Sequence, residues 1–128
     1  MKYYFEKMTN YTFEEAVVRI TEELKNEGFG VLTEIDIRAT LKKKLDVDFR
    51  KYHILGACNP PNAYKALQAE NKIGTMLPCN VIVQEYEPNR VEVAAVNPVA
   101  SMMAVENDAL GEIASEISKK LERVISNL

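Results

Sequence analysis

NVIVQEYEPNRVEVAAV, residues 80–96, reads as a β-hairpin. Two arms rich in β-branched residues flank Glu87-Pro88-Asn89-Arg90, and Pro and Asn stand there in turn-forming places. A hairpin commits its sheet to antiparallel pairing. On the first arm Cys79 has the parity of Val81 and Val83, which read as core-facing, and Asn80 has the opposite parity.

Working upstream, PPNAYKALQAEN (60–71) is a short helix whose prolines suit a first turn, where a missing N–H costs nothing. Ala63, Ala66 and Leu67 form its inner face. YHILGA (52–57) is a strand, apolar on both parities. RATLKKKL (38–45) gives a short helix with Leu41 and Leu45 on one side. VLTEIDI (31–37) alternates and predicts a half-buried strand, with Val31, Thr33, Ile35 and Ile37 to one face and Leu32, Glu34 and Asp36 to the other. TFEEAVVRITEELKNEG (12–28) is a helix. Thr12 and Glu15 make a capping box, Phe13, Ala16, Val17, Ile20 and Leu24 line one face, and Gly28 ends it. YYFEKM (3–8) opens the chain as a strand. Downstream, a helix starts near Asn107 or Asp108 and carries the stripe Leu110, Ile113, Ala114, Ile117, Leu121, Val124, Ile125 and Leu128. Acids crowd its start and Lys119, Lys120 and Arg123 its end, as the helix dipole favours. The order β-α-β-(α)-β-α-β-β-α predicts an α+β fold. It is a two-layer sandwich of a mainly antiparallel sheet of about five strands with helices packed on one face.

The 128 residues suit one domain, 1–128. A net charge of −3 and a pI near 5.3 argue against nucleic acid, which calls for clustered Lys and Arg. Lys42-Lys43-Lys44 reads as the wet face of a short helix. No apolar run approaches a membrane span, and the charged N-terminus does not read as a signal peptide, so a cytoplasmic location is expected. Two cysteines in a reducing compartment are expected as free thiols. Glycines are scattered, with no phosphate-binding loop, and no cofactor is implied.

YHILGACNPPNAYKAL (52–67), GTMLPCNVIVQE (74–85), and the close from VNP (96–98) to ALGEIASEISKKLERVI (109–125) resemble the family of domains of unknown function numbered 302. The likeness runs along essentially the whole chain, and the paired Cys-Asn segments are its most specific part. It implies a small α/β domain with a curved antiparallel sheet and a homodimer. It carries no activity, cofactor or catalytic residue.

The candidate site is therefore read from the residues: Cys58, Asn59, Cys79 and Asn80. If the strands ending at Cys58 and starting at Cys79 are antiparallel neighbours, both Cys-Asn pairs lie at one end of the sheet. One reading is packing: cysteine behaves as a small buried hydrophobe, and Asn59 caps the proline-led helix. A second is thiol chemistry, with Cys58 or Cys79 as nucleophile. It lacks a CxxC motif, and the only histidine, His53, stands five residues upstream of Cys58. A metal site is poorer still, with no local pairing of ligands. A fourth reading is a small-ligand pocket, in which the asparagines offer polar contacts and residues 97–108, with Met102 and Met103, form a flap. Glu34 and Asp36 share a strand face and converge on no histidine. The second sheet face, read by parity as Leu32, Leu55, Ala57, Ile82, Ala94 and Val96, is apolar enough to suggest a two-fold homodimer. The leading expectation is a small-molecule-binding or regulatory module. The alternatives are a thiol-dependent enzyme and a structural or interaction protein without a ligand.

Overall fold

The computed structural model describes residues 1–128. Five strands, β1 (Tyr4–Thr9), β2 (Gly30–Asp36), β3 (Tyr52–Cys58), β4 (Cys79–Glu87) and β5 (Arg90–Val96), form one sheet in the order β1-β5-β4-β3-β2. Every neighbouring pair is antiparallel. The helices are α1 (Phe13–Asn26), α2 (Ile37–Leu45), α3 (Pro60–Ala69), α4 (Pro98–Ser101) and α5 (Asp108–Ser126), with a 3-10 turn at Ile73–Met76. The expected α+β sandwich is present, and the hairpin joins β4 to β5 as read. No helix is long and apolar enough to cross a membrane.

The two long helices form where their sequence patterns place them. The Thr12 hydroxyl accepts from the Glu15 amide at 3.1 Å, and Phe13, Ala16, Ile20 and Leu24 are buried along one face of α1. Gly28, at φ +85°, turns the chain out of the helix in a conformation costly for residues with a side chain. On α5, Asn107 caps the first turn and the stripe from Leu110 to Ile125 faces inward. Both helices pack on the sheet face that carries Leu55, Ala57, Val81, Val83, Val91, Val93 and Ala95. Each fully buried aliphatic side chain there contributes about 1.5–3 kcal/mol, so this one layer contact holds the fold.

The register corrects two expectations about faces. Leu55 pairs with Val81 and Ala57 with Cys79, so both lie on the inner, helix-covered face rather than the outer one. In β2 the pairing steps from Val31 opposite Ala57 to Thr33 opposite Gly56, which leaves Leu32 as an extra residue in a bulge. The alternation therefore inverts after Val31. Glu34 and Asp36 now share its face, and Thr33 and Ile35 take the outer one. β2 is also an edge strand, largely exposed rather than half-buried. At α2, Leu45 stays exposed and no residue is fully buried.

Candidate functional site

Cys58 ends β3 and Cys79 opens β4, and antiparallel pairing brings these ends together. Gly30 stands opposite Cys58, Cys79 opposite Ala57, and Asn80 opposite Gly56. Gly56 is required at this junction, because a Cβ there would sit 2.3 Å from Thr33 Oγ1 and 2.7 Å from Pro78 Cγ. Cys79 points inward and is buried; Cys58 is half-buried; both are free thiols. Both line a cavity of about 250 Å³ between the sheet end, α3 and α5, walled by Phe29, Leu67, Met102 and Ile117 among others. The Cys79 thiol is pushed up to about 11, first by burial and then by the neighbouring Cys58. That keeps it protonated and a poor nucleophile at neutral pH. Met102, from the segment read as a flap, reaches this cavity, whereas Met103 is exposed.

Asn59 borders the same cavity, but its polar atoms are engaged. Its Oδ1 accepts from the Asn62 amide at 3.4 Å and from Asn62 Nδ2 at 3.1 Å, which caps α3. Its Nδ2 donates to the Glu27 carbonyl at 3.2 Å and so ties the end of α1 to the start of α3. Gly28 permits this approach, since a Cβ there would stand 3.2 Å from Asn59 Nδ2. Asn80 is exposed on the outer face, in a separate groove with Ile82, Gln84 and Glu92. The structure thus gathers Cys58, Asn59 and Cys79 around one cavity and sets Asn80 on the other side of the sheet.

A second cluster departs from the sequence reading. The β2 bulge turns Glu34 and Asp36 towards His53, which Asp36 faces in register. His53 Nδ1 lies 2.6 Å from Glu34 Oε2, and Nε2 lies 3.5 Å from Asp36 Oδ2. The Phe13 ring meets the imidazole edge-on at 4.8 Å between centroids. Lys51, next along the cleft, pairs with Glu14 at 3.3 Å. The Nδ1–Glu34 hydrogen bond ties the edge strand β2 to β3. The one sequence signal for it is the short α2 connection, which makes β2 and β3 neighbours and sets position 36 near position 53. The one-residue insertion that aims both carboxylates inward leaves no compositional trace.

The model of the family "Domain of unknown function DUF302" matches residues 5–128. Among solved structures, the chain is similar to an uncharacterized conserved DUF302 protein from Bacillus stearothermophilus. The two share 29% identity over 98% of each chain, with a TM-score of 0.90. No curated protein matches the chain.

Proposed function

The chain belongs to the DUF302 family of domains of unknown function, and on that premise we propose that it is a binding module for a small apolar molecule. The site is the cavity beside Cys58 and Cys79. The observation that carries this reading is the cavity's chemistry: its walls are hydrophobic almost throughout, and Asn59, its main polar neighbour, already spends both ends of its amide on the protein. A polar ligand would find no free partner there, whereas a hydrocarbon surface would. Leu32, 66% exposed, and Leu67, 45% exposed, border the cavity and offer an apolar lip. The reading includes a reducing compartment, where both thiols stay free, and a two-fold homodimer.

The thiol-enzyme alternative narrows to Cys58, because burial holds the Cys79 thiol protonated. His53 serves neither cysteine, since both its ring nitrogens face carboxylates of β2.

The test is titration with benzene and indole, followed by NMR of the Met102 methyl and the Ala63 amide. Saturable shifts at both are expected, and Ala63→Phe, which fills the cavity from α3, should abolish them in a folded protein. Shifts that never saturate, or that survive Ala63→Phe, would remove the binding reading.

A further inference from the structure

We propose that the outer face of the sheet holds a second binding site, for a small organic ammonium ion with an apolar body. The site is independent of the apolar cavity and lies on the opposite side of the sheet. Register builds it: Tyr52 stands opposite Gln84, Gln84 opposite Glu92, Glu92 opposite Met8, and Glu6 opposite Ala94, all on the face away from α1 and α5. The resulting groove encloses about 490 Å³, within the range of small-molecule sites.

Its walls carry two carboxylates, and one of them, Glu6, already pairs with Lys2 at 3.7 Å. Glu6 and Glu92 are the only ionisable carboxylates or bases among its walls apart from tyrosine phenols. Glu92 is half-buried, and it takes part in none of the chain's ion pairs. Instead it is oriented by neutral donors. Gln84 Nε2 donates to Glu92 Oε1 at 2.9 Å, and the Tyr86 hydroxyl donates to the same oxygen at 3.3 Å. Arg50 Nε donates to Gln84 Oε1 at 2.9 Å, which fixes the amide with its NH₂ towards Glu92. Glu92 is thus the groove's one carboxylate without a cationic partner, and a bound cation would supply it.

The walls suit the rest of such a ligand. Tyr3, Tyr4, Tyr52 and Tyr86 surround the groove, with Ile82 and Val96 between them. Aromatic faces attract ammonium groups, most strongly where water is excluded. The protein's own cations already follow this field at the rim. Lys2 Nζ lies 5.6 Å from the Tyr4 ring centre, and the guanidinium carbons of Arg50 and Arg90 lie 5.5 and 5.9 Å from that of Tyr86. None of the three ion-pairs with Glu92. No group of three metal-ligating side chains is present to hold a metal ion. A second copy seated here by two-fold symmetry would bring acidic grooves together.

The test compares benzylammonium with benzyl alcohol, which have similar size and differ in charge, by calorimetry and by amide shifts of residues 84–94. Benzylammonium should bind at least tenfold more tightly than the alcohol. Glu92→Gln should erase that preference, and Tyr86→Leu should weaken benzylammonium by a similar factor while Glu92 stays in place. Equal affinity for the two probes, or a preference unchanged in Glu92→Gln, would overturn the site. So would binding that declines as protein concentration drives self-association, because the groove's occupant would then be a second copy.

Discussion

At the residue scale, burial sets the chemistry of Cys79. Its thiol moves from an ordinary 9.0 to about 11 because the folded chain removes it from water. A group protonated more tightly in the folded state contributes stability that is fully present below the unfolded value and is lost as pH rises through the folded one. Cys79→Ala should therefore cost about 1 kcal/mol or more at neutral pH through lost burial. The advantage of the native protein over this variant should shrink between pH 9 and 11. Urea denaturation of both proteins across that window measures it, and a constant difference would mean that the thiol is not held in the interior. Asn59 gives the contrasting case. Its capping role was legible in the sequence, because a cap depends on residues three apart and on the prolines that follow. Its bond to the Glu27 carbonyl was not, since that bond requires knowing where α1 ends in space.

At the element scale, the long helices and the hairpin were readable because one local rule governs each: periodicity for α1 and α5, turn chemistry for β4–β5. β2 was not, because the bulge at Leu32 replaces simple alternation with a phase change that no residue type announces. The placement of Leu55 and Ala57 failed for a related reason, since a strand apolar on both parities does not say which face is covered. β2 and α2 also form the lightest part of the molecule, with no fully buried residue in either. Asp36 joins them: its Oδ1 accepts from the Ala39 amide at 2.9 Å and its Oδ2 faces His53. Asp36→Ala removes both contacts, and lost caps cost about 1 kcal/mol. Amide exchange in the first turns of α2 should accelerate about fivefold or more, while the urea midpoint of the whole domain changes little, because local opening and global unfolding draw on different contacts. An equal loss in both measurements would show that α2 unfolds only with the core.

At the scale of the whole molecule, the α+β class, the single layer of helices and the meeting of Cys58 with Cys79 followed from element order and antiparallel pairing. The split of Asn80 from the other three site residues follows from strand parity, which sends Asn80 to the face opposite Cys79. The homodimer remains a proposal, and the outer face suggests where its contact lies. The β4–β5–β1 half carries Glu6 and Glu92, whereas the β2–β3 half presents Ile35, 46% exposed, beside Ile54. Two-fold packing through the second half buries apolar surface without opposing like charges. Sedimentation at micromolar concentration should find twice the chain mass, and Ile35→Asp should return a folded monomer; a monomeric wild type would end the argument. The bulge in β2 bears on what the molecule avoids. A straight outer strand is a template on which further chains can add without limit, the geometry by which sheets grow into fibres. The extra residue at Leu32 interrupts that template near its start, and the charged side chains of Glu6 and Lys7 stand along the strand at the opposite margin. Removal of Leu32 would leave Glu34 and Asp36 opposite Leu55 and His53, yet it would give β2 a smooth border open to polymerisation.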